Sequence, residues 1–99
     1  MPNNPEMRSQ LQDLIETCNW WQLSPHLSRL VVVGLDLTLL DVGLALTEDN
    51  SALVQQWIAD GGIYHPSAEQ ISYWQANPEI TFTSLIIYPF VLFQELKPA

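Results

Sequence analysis

Cys18, His26 and His65 are the side chains of this sequence best suited to nucleophilic or metal chemistry. Motifs such as HExxH or CxxC place ligands on one turn or one helix face, where they converge on an ion. Neither histidine has a second His, Cys or carboxylate at such a spacing. Both therefore read as ordinary surface or partly buried histidines. Cys18 and His26 would serve as nucleophile and base if folding joined them. Cys18, however, closes an apolar stripe with Met7, Leu11, Leu14 and Ile15. Packing accounts for such a cysteine, and no cationic neighbour is at hand to favour its thiolate.

Other chemistries find no better footing. None of Ser9, Ser24, Ser28, Ser51, Ser67, Ser72 and Ser84 lies in a GxSxG setting, and the four glycines form neither GxGxxG nor GxxxxGK[ST]. Glu48, Asp49 and Asn50 cluster as calcium ligands would, but without the spaced oxygens of a calcium loop. Helix capping explains them more simply. The sequence thus assigns no catalytic residue, no metal site and no cofactor.

Charge narrows the partners. Three basic residues stand against eleven acids, for a net charge of -8. No cluster can neutralise a phosphate backbone and release its counterions, and an anionic membrane would repel the chain. A lone cysteine fits a reducing compartment. The first ten residues, MPNNPEMRSQ, lack a secretory pattern, and the apolar run 30–46 contains Asp36 and Asp41. The expected location is the cytoplasm. With 47% hydrophobic residues over 99 positions, residues 1–99 are expected to form one domain.

The elements that would position these residues centre on 37–61. Leu37, Leu40 and Leu44 fall on one side of a helical wheel and Leu39, Val42 and Leu46 on the other, which describes a helix buried nearly all round. The alternation of Leu40, Val42, Leu44 and Leu46 is also that of a strand over 38–46, and Gly43 weakens a helix. The Leu and Ala content, with Asp36 as a cap, favours the helix. A second helix follows Asp49, Asn50 and Ser51, burying Leu53, Val54, Trp57 and Ile58 and closing at Gly61. This pair is similar to a helix-turn-helix, but its second helix has no Lys or Arg. Such a fold would serve as scaffold or in protein contacts rather than in base reading.

Around the pair, Asn4 and Pro5 start a first helix carrying Met7 to Cys18. Trp20 and Trp21 are adjacent and cannot both face one core. Ser24 and Pro25 begin a short helical turn, and Arg29–Val33 and Ile63–His65 read as short strands. Ser67 and Gln70 form a capping box for a helix burying Ile71 and Trp74, which Asn77 and Pro78 end. Ile80–Leu96 reads as the main strand, interrupted in some manner at Pro89. In that reading Ile86, Phe90 and Leu92 share one face while Leu85, Ile87, Val91 and Phe93 share the other, so both faces need cover.

The blocks DLTLLDVGLALTEDN (36–50), WIADGG (57–62), HPSAEQ (65–70) and PFVLFQE (89–95) resemble those of an uncharacterised family of small bacterial proteins, known only as a domain of unknown function. The resemblance spans nearly the whole chain. It implies a bacterial, cytoplasmic, single-domain protein and brings no activity, cofactor or site residue.

The expected fold is α+β, with about four helices on a small, mainly antiparallel sheet. The expected function is a non-enzymatic interaction module that dimerises, or binds another protein, through Leu85, Ile87, Pro89, Val91, Phe93 and Trp21. That surface follows from supposing that one face of the main strand lacks an internal cover. The alternative is a small-molecule binding domain or small enzyme whose pocket uses Trp20, Trp21, His26 or His65, a reading that a deep apolar pocket holding two or more of them would favour. In either case duplex DNA should not bind. A mobility shift at physiological salt is expected to show no complex, and sub-micromolar binding would overturn the charge argument.

Overall fold

A computed structural model describes residues 5–96. Its centre is a β-hairpin made from the segment that reads as one long strand. Strand β4 (Thr81–Ile87) and strand β5 (Phe90–Glu95) run antiparallel, and Tyr88 and Pro89 form the turn with a cis peptide between them. Ile87 pairs with Phe90, Leu85 with Leu92 and Ser84 with Phe93. The reversal corrects the predicted faces. Paired residues share a face, so Leu85, Ile87, Phe90 and Leu92 now lie together, opposite Ile86, Val91 and Phe93. Both faces remain apolar.

Three short strands complete the sheet, in the order β1-β4-β5-β2-β3. β1 (Glu16–Asn19) is antiparallel to β4, β2 (Leu30–Val33) is parallel to β5, and β3 (Ile63–Tyr64) is antiparallel to β2. The first helix, α1 (Pro5–Leu14), is shorter than its apolar stripe predicts. Ile15 and Cys18 leave it because pairing Cys18 opposite Phe82 satisfies the backbone and half-buries the thiol. Asn4, the expected cap, lies outside the described residues.

One face of the sheet is covered by the single-turn helix α2 (Trp20–Leu23), the 3-10 segment Ser24–Arg29 and helix α5 (Ala68–Ala76). Trp20, Trp74, Phe82 and Phe93 meet there with ring centroids 5.3–6.5 Å apart, mostly edge to face. Such pairs add about 0.5–1.5 kcal/mol each beyond the area they bury. Among the described residues the Trp20 indole N–H has no hydrogen-bond partner, a penalty of about 1–3 kcal/mol that this packing must outweigh. Trp21, next in the chain, is 64% exposed, as adjacent positions require.

The other face carries helices α3 (Leu39–Thr47) and α4 (Ser51–Ala59), with α1 against α3. The 38–46 ambiguity therefore resolves to helix, capped by Thr38, whose hydroxyl accepts from the Asp41 amide, rather than by Asp36. Gly43 is buried over β4, where an added Cβ would stand 2.6 Å from Leu85 Cδ2. The glycine that weakens the helix locally lets it approach the sheet. Gln94 fixes the entry to α3, its Nε2 donating to the carbonyls of Gly34 and Leu37, both at 2.8 Å. Asn50, one of three neighbouring residues suited to the role, caps α4, and the Ser67–Gln70 capping box opens α5 as the sequence predicts.

The fold is α+β, with five α-helices on a mixed sheet among the described residues; the helix beyond the four expected is single-turn α2. Trp57 departs from expectation. α4 has no fully buried residue: Val54 and Trp57 are half-buried and Ile58 is 57% exposed. The helix overhangs the rim, where β3 offers only two residues beneath it. Trp74→Ala is accordingly expected to cost about 3–5 kcal/mol in denaturant unfolding, and Trp57→Ala only about 1–2 kcal/mol. Gly43→Ala should lower stability by about 1 kcal/mol, because the overpacking cost exceeds the gain in helix propensity. A stabilised Gly43→Ala protein would show that α3 has room to lift.

Candidate functional site

The residues that sequence suggests for chemistry do not converge. Trp20 lies in the aromatic core, Trp21 is exposed at the start of α2, and His26 is exposed in the 3-10 segment. His65 projects from the end of β3 on the side of Ile63, where its Nδ1 lies 3.1 Å from the Leu30 carbonyl. The hydrogen-bond partner of the Cys18 thiol is Ser84, not His26. Burial pushes that thiol above its ordinary range; the Ser84 hydrogen bond pulls the other way, and the nearby Glu16 carboxylate adds to the rise. Among the described residues no three His, Cys, Asp or Glu side chains group where they could hold a metal ion.

The residues expected at an interface divide in two. Leu85, Val91 and Phe93 are buried within the chain, because α3 covers one hairpin face while α2 and α5 cover the other. The premise of an uncovered face is thereby corrected. Ile87 is half-buried, and Pro89 and Trp21 are exposed. Trp21 does not share a surface with the hairpin turn. It follows Asn19, which lies opposite Thr81, at the far end of β4.

What the hairpin does expose is its tip and one edge. β1 pairs with β4 only as far as Ser84, so among the described residues no strand flanks Leu85–Ile87 on the outer side. Ile86 is 60% exposed and Tyr88 85%. The stretch 80–94 contains no charged residue. Sequence reading missed this edge because it depends on where β1 stops, which no local pattern of residues 80–94 encodes.

A cleft of about 370 Å³ opens on the α4 side of the sheet. Val31, Ile63 and Leu92 form its floor, Leu46 comes from α3, and Val54 and Ile58 come from overhanging α4. Phe90 and His65 stand at its wall. His65 is the one residue of the four proposed pocket residues found there. The wall is otherwise hydrocarbon apart from Tyr64, whose hydroxyl accepts from Gln70 Nε2.

The chain belongs to the family described as protein of unknown function (DUF2288), whose model matches residues 6–95. The fold is also that of the solution NMR structure of PA1075 from Pseudomonas aeruginosa: 23% identity, a TM-score of 0.77, and coverage of 99% of this chain and 92% of the other. No curated protein matches the chain. Among the described residues no helix is long and apolar enough to cross a membrane.

The Cys18 environment leads to a direct expectation. A thiol raised above its ordinary range is protonated at neutral pH and nucleophilically weak. Iodoacetamide should modify Cys18 more slowly than it modifies free cysteine near pH 7, with the rate climbing only in alkaline solution. Labelling faster than free cysteine at neutral pH would contradict the packing role.

Proposed function

We propose that this DUF2288 protein is a non-enzymatic, single-domain interaction module of the bacterial cytoplasm that self-associates through the tip and outer edge of the β4–β5 hairpin. The observation that carries this reading is the unflanked run Leu85–Ile87 with exposed Ile86 and Tyr88 beside it. A sheet edge with unpaired backbone groups is a template for another strand. Proteins that remain monomeric blunt such edges with charge, yet 80–94 carries none.

A second copy is the occupant best matched to this edge. Two β4 strands can pair antiparallel across a two-fold axis, each satisfying the other, in the closed arrangement commonest among homo-oligomers. Copies carrying -8 each repel over most of their surfaces. The uncharged hairpin end is where they can meet at least electrostatic cost. Of Trp20, Trp21, His26 and His65, two or more of which would share a pocket in a small enzyme or small-molecule binding domain, His65 alone lines the cleft beneath α4.

Sedimentation velocity across a concentration series is the test. The expected result is a reversible dimer, with Ile86→Lys weakening it roughly thirtyfold, equivalent to a central contact of about 2 kcal/mol. Because Ile86 is exposed, the variant should keep its unfolding midpoint, and Trp21→Ala should dimerise normally. A monomer at every concentration, or a dimer indifferent to Ile86→Lys, would overturn this reading.

A further inference from the structure

We infer that the cleft between α4 and the sheet is a binding site for a neutral, mainly aliphatic small molecule carrying one hydrogen-bond donor, and that His65 accepts from that donor. The inference does not depend on self-association. The cleft floor lies on β5, β2 and β3, whereas the free edge belongs to the outer side of β4.

Size and surface set the class of ligand. A volume of about 370 Å³ falls at the small end of the roughly 300–1,000 Å³ usual for ligand sites. Val31, Leu46, Val54, Ile63 and Leu92 offer only hydrocarbon. Filling the cleft with an aliphatic chain therefore gains burial without stranding polar atoms of the protein.

His65 sets the polar group. The Leu30 carbonyl can only accept, so the 3.1 Å contact places the proton of the neutral imidazole on Nδ1. Nε2 is left as an acceptor with no protein partner among the described residues, on an exposed ring where water or a ligand can reach it. A ligand hydroxyl would satisfy it. A carboxylate would not, since it brings a second acceptor into a protein of charge -8. Neither described arginine lines the cleft: Arg8 pairs with Asp41 at 3.0 Å, and Arg29 lies in the 3-10 segment.

The experiment titrates 1-octanol, and separately octanoate, into methyl-labelled protein at about pH 8, where histidine is ordinarily neutral. Octanol is expected to give saturable NMR shifts centred on the methyls of Val31, Val54, Ile63 and Leu92, with octanoate at least roughly tenfold weaker. His65→Phe preserves an aromatic ring and removes the acceptor. It should weaken octanol about fivefold, as expected for one neutral hydrogen bond. Val54→Phe, filling the cleft from half-buried α4, should abolish the shifts even if His65→Phe fails to fold. Octanoate binding as tightly as octanol, shifts that do not saturate or do not map to the cleft, or a folded His65→Phe protein binding octanol unchanged would each overturn the assignment. Sedimentation of the same samples reads self-association separately, so failure of one proposal leaves the other standing.

Discussion

A hairpin that is apolar on both faces cannot lie at the surface of a sheet with one side in water, and this constraint organises the whole chain. Pairing Leu85 with Leu92 and Ser84 with Phe93 sends hydrocarbon in both directions. The fold therefore places helices on both sides and sets β5 at the centre of five strands. Each cover uses a different device. On one side four aromatic rings interlock; on the other, Gly43 removes a side chain so that α3 can rest on Leu85.

The two covers are unequal, and the inequality leaves a cleft at one side of the sheet and a free strand edge at the other. α3 lies over the middle of the sheet with Leu39, Val42 and Ala45 buried, whereas α4 reaches past the sheet to its two-residue edge strand. An overhanging helix leaves space beneath it, and hydrocarbon lines that space because the same side chains serve the core nearby. At the opposite side β1 ends four pairs into its partner. Both features arise where a short strand meets a longer one.

Several elements could be read directly from residues because their causes are local. Asn50 and the Ser67–Gln70 pair cap the helices they begin, since a side-chain oxygen three residues from a free amide needs no distant partner. Pro89 cannot continue a ladder, and the chain does break there. Adjacent tryptophans must diverge, and Trp20 and Trp21 do. Net charge, a non-local sum, was equally plain, and with it the weakness of any argument for nucleic-acid binding.

Tertiary structure alone decided the rest. Alternation in Ile80–Leu96 fits one strand or two, and only the pairing of Ile87 with Phe90 determines which side chains share a face. Cys18 suits a helical stripe or a strand equally well, until β4 supplies ladder partners that an isolated helix cannot offer. Trp57 sits on a sound apolar stripe, yet its burial depends on how far the sheet extends beneath it. Gln94 looks like a polar residue in a strand, but it holds two carbonyls sixty and fifty-seven residues away in sequence. Helix caps, turns and charge are settled by neighbours along the chain, whereas strand ends, cover and clefts are settled by contacts that exist only once the chain has closed on itself.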